Sequence, residues 1–151
     1  MRSYPVSSAN LNDYSDAQLI QYFRNAALER ARTGFNAEKG NQIADEKLTP
    51  AYEALAARGK EAVQKLLQLT DDENMRVRLE AAAYAYDTDP AACRSTLQQL
   101  VRKLRPVGIP ALLILLDKDA EFSAEFDRLA SLGEEHLRQE LSRRFGGCLE
   151  E

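Results

Sequence analysis

The sequence predicts an all-α fold of about seven or eight helices, on three observations. Alanine and leucine supply 22 and 21 of the 151 residues while valine and isoleucine supply 5 and 4, a balance that favours helices over β-branched strands. The 7 glycines and 5 prolines are few, and most fall between apolar stretches of helical period. With 44% apolar and 29% charged residues, the chain is long enough for a genuine core. The expected organisation is a flexible arm over 1–14 and a single helical domain over 15–147.

Residues 1–14 are polar, contain Pro5 and show little periodicity, which makes them the arm. Ser15 and Gln18 have the capping-box spacing, and Leu19, Ile20, Phe23, Ala26, Ala27 and Ala31 recur at helical intervals after them. A first helix over about 16–32 follows, closed before Gly34. Between Asn36 and Arg58, the stripe of Ala37, Ala44, Leu48, Ala51, Tyr52 and Leu55 stays in phase across Pro50. That predicts one kinked helix or two nearly collinear ones, with Thr49-Pro50 as a second cap and first position. After Gly59, a short helix over about 61–69 carries Ala62, Val63, Leu66, Leu67 and Leu69 on more than half its circumference and must be buried.

Asn74 caps an alanine-rich helix over 75–86, where small side chains permit close helix approach. Asp89 and Pro90 are the N-cap and first position of the next, which runs to about Leu104 before Arg105-Pro106-Val107-Gly108 breaks it. The run Ile109–Leu116 (IPALLILL) fits a buried strand or a buried helix, and composition favours the helix. Phe122, Phe126, Leu129 and Ala130 mark a helix ending at Gly133. Leu137, Leu141 and Phe145 mark a last one ending at Gly146-Gly147, before a frayed tail over 148–151.

A net charge of −4 and a pI near 5.2 disfavour nucleic acid as partner, since that binding is driven by basic side chains displacing counterions. The apolar runs are too short for a membrane span and the first residues lack an apolar signal core, so no membrane partner is expected. Cys93 and Cys148 lie 55 positions apart with no Cys-x-x-Cys pattern. They read as free thiols, and the expected location is cytoplasmic.

Displacing the chain on itself by 46 residues aligns Val63, Leu66, Leu67, Leu69 and Asp71 with Ile109, Leu112, Leu113, Leu115 and Asp117, a period in the HEAT and armadillo range. The segment 63–85, VQKLLQLTDDENMRVRLEAAAYA, resembles a HEAT repeat: an apolar helix, an acidic turn, then Val77-Arg78 and three alanines. The resemblance implies structural roles for Asp72 and Arg78 in supporting the turn. With AYEALAARG (51–59), DPAACRSTLQQL (89–100) and FSAEFDRLA (122–130), it extends over roughly 40–132. Across that span the chain resembles the bacterial family called domain of unknown function 2019, departing from it at Pro50 and in the added apolar segment around 106–118. The family implies a HEAT-like α–α superhelix and brings no catalytic residues.

Motifs for chemistry are sparse. His136, the only histidine, has Glu135 and Glu140 nearby, but a zinc site needs three or four ligands, so no metal site is assigned. Cys93 reads as a small core residue rather than a nucleophile. Gly-rich phosphate loops, His-Glu-x-x-His, Gly-x-Ser-x-Gly and EF-hand spacing are absent, and no cofactor is expected. HEAT-like alkyl-purine DNA glycosylases show that such folds can be enzymes, but they need a basic, aromatic-lined groove, and this chain has no tryptophan. Arg94, Arg102, Lys103 and Arg105 form a basic run whose simpler reading is charge complementing a helix C-terminus.

Between 117 and 135, seven acids face two bases. A solvated helix face is the simpler reading of this bias, and a partner surface the sharper one. On the helix over 75–86, Val77, Ala81 and Ala85 face the core, leaving Arg76, Glu80 and Asp87 on the accessible side. If second helices line a concave surface, these residues and Tyr84 would sit beside Glu121, Glu125 and Arg128 as a partner-binding face, with Tyr84 or Tyr86 as an aromatic anchor. The functional expectation is non-catalytic binding of another protein, and in its sharpest form an immunity protein neutralising a basic toxin domain. The alternatives are a carboxylate-dependent enzyme using Asp87 or Glu125, recognisable by a deep pocket, and a scaffold subunit, recognisable by an exposed apolar patch around 107–116.

Overall fold

The computed structural model describes residues 11–34, 36–103 and 108–145, and in the last helix the side chains as far as Glu140 and that of Arg143. All regular structure among these residues is helical. The chain packs as two compact units, Met1–Thr88 and Asp89–Glu151. The expectation of one domain over 15–147 did not include this division, which falls inside the Asp87-Thr88-Asp89-Pro90 stretch that reads as a helix start.

In the N-terminal unit, helix α1 (Asp16–Ala31) opens with the expected capping box: the Gln18 amide N–H donates to Ser15 Oγ (3.1 Å) and the Ser15 N–H to Gln18 Oε1 (2.8 Å). Its buried stripe is Leu19, Ile20, Phe23, Ala26 and Ala27. Gly34 beyond it has φ +60°, where a side chain would be strained. Four residues of the expected arm belong to this unit. Leu11 is buried, the Arg58 guanidinium donates to the Asn12 and Tyr14 carbonyls, and Tyr14 meets Tyr22 edge-on. Burial of one leucine and satisfaction of two carbonyls hold residues 11–14 against the helices, correcting the arm's boundary; residues 1–10 lie outside those described.

The segment with Pro50 is not split. Helix α2 (37–57) is one helical run: an α segment Ala37–Ile43, a π turn Ala44–Leu48 and an α segment Thr49–Ala57. In an uninterrupted α-helix the Pro50 ring would strike the carbonyl four residues earlier. The preceding turn widens instead, the Thr49 N–H reaching back five residues to the Ala44 carbonyl, so the run continues into the proline. Helix α3 (Lys60–Leu66) tightens into a 3-10 turn (Leu67–Asp71), and α4 (Met75–Tyr84) starts on Asn74, whose Oδ1 accepts from the Arg76 (2.8 Å) and Val77 (3.2 Å) N–H groups. Helix α1 packs against α2, α3 and α4 around Leu19, Phe23, Leu48, Leu55, Leu66 and Val77.

In the C-terminal unit, α5 (Pro90–Val101) is capped by Asp89, as expected, and buries Cys93, Leu97, Leu100 and Val101. The helix end expected near Leu104 and the break at 105–107 lie outside the described residues. The run that fitted strand or helix is α6 (Gly108–Lys118). Gly108 sits where a Cβ would lie 3.0 Å from the Val101 carbonyl oxygen, so the absent side chain permits this close approach to α5. Helix α7 (Ala120–Ala130) packs on α6, and α8 (Glu134–Phe145) packs on α7 and α5. The expected Gly146-Gly147 stop and the tail lie outside the described residues.

Candidate functional site

The α4 face expected to meet a partner is turned inward. Arg76, Glu80 and Tyr84 lie one helical turn apart, and all three are engaged within the N-terminal unit. The Glu80 side chain, from a residue only 3% exposed, accepts from Arg30 Nη1 on α1 at 3.0 and 3.1 Å and from Arg76 Nε at 3.0 Å. Tyr84 shares a 2.8 Å hydrogen bond with Thr49 just after the π turn, and its ring packs edge-on against Phe23 and tilted against Tyr52. Burial raises its phenol pKa above the ordinary value. The assignment of Glu80 to an accessible binding face is therefore corrected: two guanidiniums neutralise it in the interior. Arg76 is its half-buried partner, Tyr84 an anchor of the core, and Asp87 alone of the four is exposed. Tyr86 is buried.

Asp72, expected from the repeat resemblance to support the turn, is bound by groups on α1 and in the turn itself. Its carboxylate accepts from the Arg24 Nε (2.8 Å) and from the Asn74 N–H (2.9 Å), tying α1 to the turn before α4. The hydrogen bond from Arg24 holds its pKa below the usual carboxylate value. Arg78 adds through-space positive charge to Asp72, and its buried Nε has no hydrogen-bond partner among the described residues.

In the C-terminal unit, Glu121 is exposed, while Glu125 and Arg128 pair with one another three residues apart on α7. Arg94, read with Arg102, Lys103 and Arg105 as a basic run, instead contacts Asp119 at 2.8 Å, and Asp119 also caps α7 by accepting from the Phe122 N–H. Arg102 and Lys103 are exposed, and Arg105 lies outside the described residues. The seven predicted partner residues thus fall in two units, Arg76, Glu80, Tyr84 and Asp87 in the first and Glu121, Glu125 and Arg128 in the second.

Three large apolar side chains among the described residues are exposed: Ile109 and Leu113 on α6, and Leu132 in the turn after α7. On α6, Ala111 and Leu115 are buried while Ile109 and Leu113, one turn apart, are 53% and 59% exposed. Leu112 and Leu116 flank them half-buried, and the exposed Asp117 continues the same stripe one turn on. The expectation that 109–116 is buried holds for one face only. An apolar run around the whole helix was the available signal, since a helix in contact with neighbours on one side leaves the other unpartnered.

Cys93 is buried, and desolvation pushes its thiol up to about 11, unlike an activated nucleophile. His136 is exposed, and among the described residues no group of three or more His, Cys, Asp and Glu is placed to hold a metal ion. No helix among them is long and apolar enough to cross a membrane. Comparison with known proteins finds no matching family model, curated protein or solved structure.

Proposed function

We propose that this protein is a non-catalytic protein-binding module whose docking surface is the outward stripe of α6. The observation that carries the reading is the exposure of Ile109 and Leu113 on the same helix that buries Ala111 and Leu115. At 53% and 59% exposure these two side chains forgo roughly half of the about 1.5–3 kcal/mol that full burial of each would supply, and their adjacency on one helix face is what supports a docking surface. Of the carboxylates offered for an enzyme, Asp87 is exposed and Glu125 pairs with Arg128.

Within this reading, the α3–α4 pair joined by the Asp72 turn is one layer of a HEAT-like superhelix of the domain of unknown function 2019 kind. The sharpest form of the function is an immunity protein that covers a basic toxin domain, consistent with the net charge of −4. A scaffold role is the second reading, favoured by the same apolar stripe.

A photo-crosslinking residue at position 113, in cells making the full chain, tests the reading against the same residue at the exposed position 103. One dominant adduct with a different protein from position 113 is the expected result. Adducts between copies of this chain would replace it with the scaffold reading, and equal, diffuse labelling from both positions would overturn it.

A further inference from the structure

We infer that the α6 stripe takes a basic amphipathic helix of a partner protein, with two apolar side chains one turn apart seated on Ile109 and Leu113 and a lysine or arginine facing Asp117. This deepens the protein-binding reading and rests on it. The i, i+4, i+8 series Ile109, Leu113, Asp117 places two exposed apolar groups and one exposed carboxylate in a row on α6.

The negative charge beside the stripe is not consumed within the unit. Asp119, Glu125 and Glu134 are matched by Arg94, Arg128 and Arg138, whereas Asp117, Glu121 and Asp127 are exposed and take part in no ion pair among the described residues. Glu121 stands in the first turn of α7, which packs on α6. Lys118 follows Asp117 directly and projects about 100° around α6 from it, off the stripe. A partner that covers the stripe therefore meets an uncompensated acidic end.

That charge argues against a second copy as the occupant. If two α6 helices paired in parallel, Asp117 would oppose Asp117. In an antiparallel pair centred on Leu113, Asp117 would oppose Ile109 and be desolvated without a cation. A basic helix satisfies the apolar residues and the carboxylate together, and acid–base complementarity would steer it to this end of the unit.

The test uses the full chain and two fluorescein-labelled helical peptides with the same leucines at i, i+4 spacing, one with lysine and the other with glutamate at its polar positions. Fluorescence anisotropy should show the lysine peptide binding at least about tenfold tighter at low salt, the difference shrinking as salt rises. Asp117→Asn with Glu121→Gln should bring the two peptides to within about threefold, and Leu113→Asp should remove binding of the lysine peptide. Glu134→Gln with Glu135→Gln, a control on α8, should leave the preference intact, and circular dichroism checks that each variant folds.

Equal binding of the two peptides, a preference that survives Asp117→Asn with Glu121→Gln, or binding unaffected by Leu113→Asp would overturn the inference. If position 113 crosslinks one foreign protein while the peptides bind equally, the charge inference fails and the protein-binding reading stands. If the peptides are discriminated but position 113 crosslinks no protein in cells, the functional reading fails.

Discussion

Glu80 shows how one residue changes meaning between its local neighbours and its spatial ones. On its own helix it sits at i+4 from Arg76, an ordinary surface pair, but Arg30, fifty positions earlier, reaches the same carboxylate and the whole group is buried. Removing it leaves two guanidiniums without their shared anion. Glu80→Ala should cost about 3 kcal/mol of stability in urea denaturation. Asp72 carries the corresponding pH dependence. Its pKa is depressed in the folded protein, first by the Arg24 hydrogen bond, from an ordinary value of 3.8. A depressed carboxylate contributes stability that is present above its unfolded pKa and lost as pH falls through the folded one. Asp72→Asn should therefore be less stable than the parent at pH 7, and the two unfolding curves should converge as the pH is lowered below 3.8. Cys93 gives a simpler readout. Buried, and with a thiol pKa raised to about 11, it should resist iodoacetamide in the native protein at pH 8 and react on unfolding, followed by mass spectrometry of the Cys93 peptide.

At the scale of the element, α6 separates burial from composition. Leu113 and Leu115 are the same residue type two positions apart, one in water and one in the core. Leu115→Ala should cost about 3 kcal/mol through lost burial and a residual cavity, whereas Leu113→Ala should change stability by less than about 0.5 kcal/mol. Comparable losses by thermal denaturation would mean that both faces of α6 are packed. The helix starts were legible because a cap speaks within four residues of itself: Ser15, Asn36, Asn74, Asp89 and Asp119 each accept from the first turn they precede. Of these, Asn74 and Asp89 read as caps from the sequence, and Ser15 through its capping-box partner. The π turn before Pro50 was not legible, because a phased apolar stripe is compatible with any backbone that keeps Ala44, Leu48, Ala51 and Leu55 inward. Choosing between a kink, a break and a widened turn depends on how α1 packs against both halves.

For the molecule as a whole, charge and exposed apolar surface act against each other. The net charge of −4 at pH 7 disfavours self-association, and it vanishes near the pI of about 5.2. Light scattering should therefore show association strongest near that pH, and a profile flat from pH 7 down to the pI would mean that net charge does not hold the copies apart.

Helical class, the order of the elements and most of their boundaries were already present in composition, caps and apolar period, all of which act over a few residues along the chain. The candidate site was legible only in outline, as acidic residues after 117 and an apolar run before it. Which face of α6 is left uncovered, which carboxylates are matched, and the burial of Glu80 were decided by tertiary packing. The reason is geometric. A helix's period shows that it has an apolar side, but whether a neighbour covers that side, or whether a guanidinium some fifty residues away reaches a carboxylate, depends on contacts that no local window contains.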